Sequence, residues 1–269
     1  MGEVGRATLH LKVLGESCKV GVGVPGTPAG VGDLLPAARA ITNATMEVAM
    51  AKSGREGFAV SCRKGCSACC YQLVGITVPE ARALAKLVEE MPAERQATIR
   101  RRFAKTLELV RKKGVLDPKS SDGEAVLLLH RKASDREAYL DMAGRYFKLH
   151  RACPFLEDGA CSIYEDRPLI CREYAVTSPA EHCERLEYAA INMVGPPVRL
   201  SDGLAEVTAV VEGKAVEQIP LFAALAWAAI PGNAMPEANV SGVELLKLLA
   251  RWVDRQSGVP LEERGGGSQ

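Results

Sequence analysis

Four thiols lie within nine residues in the run Cys62-Arg-Lys-Gly-Cys66-Ser-Ala-Cys69-Cys70, and four more follow at Cys153, Cys161, Cys171 and Cys183. Thiolate sulfur is a soft ligand, and four thiolates are what one zinc ion or one [4Fe–4S] cluster requires. The spacing Cys62-x3-Cys66-x2-Cys69 lets a short loop set three sulfurs around one small object, and Gly65 permits the positive-φ turn that such a wrap needs. Crowded thiolates raise each other's pKa values, and a cation placed among them reverses that penalty. Inert burial is a poor alternative, because neighbours such as Cys69 and Cys70 do not readily both point into one apolar core. The second set, Cys153-x7-Cys161-x9-Cys171-x11-Cys183, is too widely spaced to be diagnostic alone and takes its weight from the first. Cys18, far from the rest, reads as a small buried bystander.

The bulk properties are those of an ordinary globular chain: 269 residues, 47% hydrophobic and 25% charged, with mean hydropathy near zero. A chain of this length builds a core without disulfide staples, which removes the usual reason for many cysteines. With 34 basic against 33 acidic residues the net charge is +1, so neither nucleic acid nor an anionic membrane is an expected partner. The first residues lack the apolar stretch of a signal peptide, and the longest apolar run, Ile219 to Ile230, is broken by Pro220. A cytoplasmic location is therefore expected, where thiols stay reduced and cysteine clusters bind metal.

The elements that must position these thiols are mostly helical. Alternating Leu9, Leu11 and Val13 mark a strand over Ala7 to Leu14, joined through Gly15-Glu16 to a second over Cys18 to Val24. A Gly/Pro-rich loop leads to a helix from about Asp33 to Lys52. Thr77-Val-Pro-Glu80 is a capping box opening a helix striped by Leu84, Leu87, Val88 and Met91. Ile99, Phe103, Leu107 and Val110 stripe a second helix, ending near Gly114. Residues 117–123 form a polar loop, and Ser134-Asp-Arg-Glu137 caps a helix whose face is Tyr139, Met142, Tyr146 and Leu149. Ser178-Pro-Ala-Glu181 caps a helix carrying Cys183, and Val243, Leu246, Leu249 and Val253 mark the last one. The fold expected is mostly α with short N-terminal strands, its helices around an irregular, loop-built cysteine metal site. The organisation expected is a strand–strand–helix lobe (1–57), a cysteine-cluster domain (58–200) with a helical insertion at about 77–150, C-terminal helices (201–264) and a flexible tail (265–269).

The first run, with Cys153-Pro-Phe-Leu and Gly159-Ala-Cys161-Ser-Ile163-Tyr164-Glu-Asp-Arg167-Pro168-Leu-Ile-Cys171-Arg172-Glu-Tyr174, resembles the YkgJ-type cysteine-cluster family over about 58–185. Its members are described as zinc- or iron-chelating, and flagellin lysine-N-methylases are similar to them. The resemblance implies that Cys62, Cys66, Cys69, Cys70, Cys153, Cys161, Cys171 and Cys183 are metal ligands. Its methylase branch implies S-adenosylmethionine as a cosubstrate and a protein or peptide lysine as substrate. Most of the family carries no assigned reaction, so an enzymatic role stays open beside metal handling or scaffolding.

The close 3-and-2 spacing favours a [4Fe–4S] cluster over Zn2+, whose commoner signature is paired Cys-x2-Cys knuckles. Arg63, Lys64, Arg167 and Arg172 could offset the charge of an all-thiolate site, or pair at the surface with Glu165, Asp166 and Glu173. Cys62-x3-Cys66-x2-Cys69 also matches the radical S-adenosylmethionine signature. Ala68 stands where that signature has an aromatic residue, no strand–helix alternation follows, and five other cysteines go unexplained, so this is the weaker alternative. Gly21-Val-Gly23-Val-Pro-Gly26 spells a dinucleotide fingerprint, but Pro25 and Pro28 forbid the helix it needs, leaving a glycine-rich turn. His130, His150 and His182 are not needed as ligands beside eight thiols, and Tyr164 and Tyr174 read as packing residues.

Overall fold

A computed structural model describes residues 3–63, 65–115, 136–234, 236 and 239–257. In chain order the elements are β1 (Glu3–Val13), β2 (Glu16–Pro25), α1 (Leu35–Arg55), β3 (Gly75–Thr77), α2 (Val78–Glu89), α3 (Ala93–Lys112) and α4 (Arg136–Lys148). There follow β4 (Leu156–Glu157), β5 (Ala160–Cys161), α5 (Leu169–Arg172), β6 (Ala175–Val176), α6 (Ala180–Arg185), β7 (Met193–Val194), α7 (Leu200–Glu212), β8 (Gln218–Pro220), α8 (Ala224–Ala228) and α9 (Gly242–Ser257). The expected class holds: helices dominate, and the cysteines sit largely in loops and very short elements. The polar loop at 117–123, the capping box at 134–137 and the tail at 265–269 lie partly or wholly outside the described residues.

The chain forms two compact units. The first comprises residues 1–63, 168–214 and 236–269, and the second 64–167 and 215–235.

In the first unit β1 and β2 are an antiparallel hairpin, with Leu9 opposite Val20 and Leu11 opposite Cys18. The turn is Leu14-Gly15 rather than Gly15-Glu16. Both residues have positive φ (52° and 87°), the two-residue geometry whose twist suits a hairpin. The strands run longer than the alternation suggested, and Gly21 and Gly23 lie inside β2 instead of a turn. Val13, Val20 and Val22 face inward with Leu34, Leu35 and Ile41, while Leu200 and Leu204 of α7 and Leu245, Leu249 and Val253 of α9 are equally buried. Val243, expected on the buried face of the last helix, is 46% exposed, and Trp252, 3% exposed, packs there instead.

Gly203 lets α7 approach α9: a Cβ at that position would stand 2.6 Å from Cε3 of Trp252. Gly203→Ala is expected to lower stability by about 1–3 kcal/mol through overpacking, read from the denaturant unfolding midpoint. Glu173 is buried here, not at the surface. Its carboxylate accepts from Ser201 N at 2.8 Å and Ser201 Oγ at 2.6 Å, satisfying donors at the start of α7. The core of this unit thus anchors α5, on which Cys171 sits.

In the second unit one apolar core joins α2, α3 and α4 to the segment around β8 and α8, through Ile76, Leu84, Val88, Ile99, Phe103, Val110, Tyr146, Phe155, Ile219, Phe222 and Trp227. The Thr77–Glu80 pair starts α2 as expected. The Glu80 carboxylate accepts from Thr77 N and Thr77 Oγ1, each at 2.8 Å. The stripes on α2 and α3 are buried or partly buried. A strand pair that periodicity does not reveal ties distant parts together: Gly75 to Thr77 of β3 lie opposite Gln218 to Pro220 of β8. Tyr146 stacks on Phe222 with ring centroids 5.1 Å apart, which packs α4, the helix that delivers the chain to Cys153, against the segment leading into α8.

Candidate metal centre

All nine cysteines are thiols. The chain's two units divide them: Cys18, Cys62, Cys171 and Cys183 belong to the first, and Cys66, Cys69, Cys70, Cys153 and Cys161 to the second. This differs from the grouping along the sequence, because the second unit combines thiols from both runs.

The approach to the first run turns at Gly65, with φ 87°, as its position before Cys66 required. Residues Ala68–Tyr71 then form a single 3-10 turn, which puts Cys69 and Cys70 on a tight curve. The Cys70 carbonyl accepts a hydrogen bond from the Cys153 N–H at 2.7 Å. That one backbone bond fastens the second run to the first. Beyond Cys153, β4 and β5 make a miniature hairpin with Leu156 opposite Cys161. Its turn, Asp158-Gly159, has positive φ at both residues (47° and 74°). An Asp-Gly pair is the strongest short-range hairpin signal, and it stood in the sequence unused.

Two arginines of α3 brace this hairpin, and neither was singled out from sequence. Arg102 donates to the Pro154 carbonyl at 3.0 Å and to Glu157 Oε1 at 3.2 Å. Arg95 donates to the Ser162 carbonyl at 3.3 Å and to Glu157 Oε2 at 3.4 Å. The helical insertion between the cysteine runs therefore has a local purpose, holding the stretch that carries Cys153 and Cys161. No chemical motif in α3 announces this, since its arginines look like any solvated helix face.

The thiols of this set feel one another. A hydrogen bond with Cys70, then burial, then the Coulomb repulsion of Cys70 hold the Cys69 pKa far above the usual thiol range. Burial pushes Cys153 up to about 12, with Cys161 and Cys69 adding to the rise. Tyr146 is raised by burial and then by Cys153. Thiols in this condition keep their protons at neutral pH, and only a cation delivered among them would make thiolates of them. Among the described residues, no three His, Cys, Asp or Glu side chains already form a metal-ion cage. Closing one here requires protons to leave the sulfurs.

In the first unit, Ser61 N donates to the Val176 carbonyl at 2.9 Å, which sets Cys62 beside the segment between Cys171 and Cys183. Cys62 is exposed, Cys171 half-buried on α5, and Cys183 buried on α6. The Tyr174 hydroxyl lies 3.7 Å from Cys183 Sγ, so Tyr174 is a polar neighbour of a thiol rather than plain packing. Ser178 does not cap α6. Its Oγ accepts from Asn192 N at 3.2 Å, and Pro179 takes the capping position. Arg172 is buried rather than at the surface, and donates to Asn43 Oδ1 at 3.0 Å.

The histidines have other work. In the second unit His150 stacks on Tyr71 with centroids 4.6 Å apart. In the first, His182 Nδ1 pairs with Glu187 Oε2 at 2.6 Å. His130 and Lys64 lie outside the described residues. Tyr164 is 55% exposed, with the Arg167 guanidinium 3.7 Å above its ring, and the Arg167 charge also reaches Cys69.

Cys18 is buried, as expected of a bystander, and burial followed by the Glu47 charge raises its pKa. Because thiolate is the reactive form, iodoacetamide should modify exposed Cys62 first in metal-free protein and Cys69 and Cys153 last. Time-resolved peptide mass mapping reads that order.

A thiophilic metal fits the donor set of the second unit, which offers soft sulfur from two separate stretches of chain. Three shielded polar side-chain atoms on residues within two positions of Cys70, Cys153 or Cys161, namely Gln72 Nε2, Arg151 Nε and Ser162 Oγ, have no hydrogen-bond partner. An unpartnered buried polar group costs about 1–3 kcal/mol, and its presence is intelligible where a bound group completes it.

Comparison with known proteins gives one family. Residues 61–189 match the family described as "CxxCxxCC: Putative zinc- or iron-chelating domain". No curated protein and no solved structure matches. The matched span contains all eight motif cysteines, lies within a few residues of the span on which the resemblance rested, and supports metal binding by this stretch. Among the described residues no helix is long and apolar enough to cross a membrane. Residues 61–189 are thus similar to the cysteine-cluster family whose description is zinc or iron chelation.

Proposed function

We propose that this chain is a cysteine-cluster metalloprotein holding iron as a [4Fe–4S] cluster on Cys69, Cys70, Cys153 and Cys161. Cys62, Cys66, Cys171 and Cys183 complete the eight-thiolate ligand set that the motif implies. The observation that carries the reading is the backbone bond from Cys153 N to the Cys70 carbonyl, which fastens two thiol-bearing stretches far apart in sequence. The thiols so assembled hold their protons at neutral pH, and a cation among them is what would favour the thiolate form. When bound, the cluster supplies electron-transfer or Lewis-acid chemistry. The chain supplies the thiolates, the α3 brace that orients two of them, and the surrounding apolar core that limits water.

Iron is favoured over zinc because Gln72 Nε2, Arg151 Nε and Ser162 Oγ, on the stretches that carry these thiols, lack partners, and cluster sulfide adds acceptors that a zinc ion does not. Mössbauer spectroscopy of protein grown on 57Fe tests this. Cluster iron with all-sulfur ligation supports the reading; a protein that takes up zinc and no iron contradicts it. A role in modifying a protein or peptide lysine adds a requirement for S-adenosylmethionine. One-to-one binding of that compound by the loaded protein, measured calorimetrically, would support the methylase-like branch, and no binding would leave metal handling or scaffolding.

A further inference from the structure

We infer that Gln72, Arg151 and Ser162 are positioning residues that donate hydrogen bonds to the sulfur atoms of a cluster seated on Cys69, Cys70, Cys153 and Cys161. This rests on the cluster reading above and adds to it the chain's own means of holding and tuning the group. Gln72 Nε2, Arg151 Nε and Ser162 Oγ are shielded from solvent and lack partners, whereas buried polar side chains are ordinarily satisfied.

Their places are not scattered. Gln72 follows Cys70 by two residues, and its backbone N–H donates to the Cys69 carbonyl at 3.1 Å. Arg151 precedes Cys153 by two residues, and its charge acts on the same Tyr146 phenol that Cys153 acts on. Ser162 follows Cys161, and its backbone N–H donates across the miniature hairpin to the Phe155 carbonyl at 2.9 Å. Each therefore sits on a stretch that carries one of the four thiols.

All three are donors: an amide N–H, a guanidinium N–H and a hydroxyl. What they lack is an acceptor. A single zinc ion would add none beyond the four thiolates. A [4Fe–4S] cluster brings four inorganic sulfides as well, and its net negative charge suits the one cation in the trio, Arg151. Donors of this kind set ligand orientation and metal affinity, and hydrogen bonds to cluster sulfur raise the reduction potential by stabilising the more negative reduced state.

The test uses full-length protein reconstituted anaerobically with iron and sulfide, compared with Gln72→Met, Ser162→Ala and Arg151→Lys, the last retaining charge while losing Nε. The variants should release iron to a chelator about 10-fold or more faster, and the potential of Gln72→Met should fall. Their metal-free forms should melt at the same or a higher temperature, because an unpartnered buried donor has been removed. A merely structural role would instead lower the melting temperature of the metal-free forms and leave the potential unchanged. Wild-type protein with a cluster, but variants of unchanged potential and iron release, overturns the inference and leaves the cluster reading standing. Wild-type protein that takes up no iron and sulfide overturns the cluster reading itself.

Discussion

Replacing Cys153 with serine is expected to strip the second unit of metal and to remove a large part of the roughly 10 kcal/mol by which a thiolate metal site couples to folding. The substitution is nearly isosteric and leaves the Cys153 N–H bond to Cys70 untouched, so the stapled geometry survives while the soft ligand goes. Oxygen in place of sulfur does not hold a thiophilic metal in a four-thiolate set. Metal analysis and thermal unfolding under anaerobic conditions check this, with Cys18→Ser as the control that should retain full metal content. Undiminished metal in Cys153→Ser would mean that the ligand assignment is wrong.

Phe155→Ala is expected to cost about 3–5 kcal/mol, the range for deleting a buried phenyl ring. Phe155 is 1% exposed and meets Phe103 edge-on with centroids 5.4 Å apart, so neighbouring side chains cannot collapse far into the gap. The residue also lies between Cys153 and Cys161, and its carbonyl holds Ser162. The loss should therefore appear twice, as a lower denaturant midpoint and as faster release of metal to a chelator. An exposed substitution on the same unit, Lys86→Ala, should move neither by more than about 0.5 kcal/mol.

Much of this was legible because local rules and the tertiary fold agree. The stripes of α2 and α3 follow the helical period, the Thr77–Glu80 pair is a local hydrogen-bonding device, and Gly65 takes the positive φ that its place before Cys66 demanded. Other features depend on partners distant in sequence. β3 and β8 are three residues each, too short for alternation to register, and pair with each other across a long sequence separation, flanked by the Leu221 N–H bond to the Val74 carbonyl. Glu173 and Arg172 look like surface charges until Ser201 and Asn43 are brought to them. At the centre, residue types revealed the thiols but not their partition. Spacing grouped Cys62 with Cys69 and Cys153 with Cys171, whereas the fold places Cys66, Cys69 and Cys70 in one unit with Cys153 and Cys161. The Asp158-Gly159 turn was readable and would have placed Cys161 correctly. The Arg95 and Arg102 brace was not, because a long basic side chain on an amphipathic helix carries no mark of the carbonyl it will find.

The central claim is that the thiols of Cys69, Cys70, Cys153 and Cys161 hold one iron–sulfur group. It is tested most directly by counting iron and acid-labile sulfide in full-length protein purified without oxygen, beside the same count for Cys70→Ser. The account predicts iron and sulfide in equal amounts with a brown chromophore in the parent protein, and their loss in the variant. A colourless parent protein without iron, its motif thiols all titrating with a thiol reagent, would contradict it.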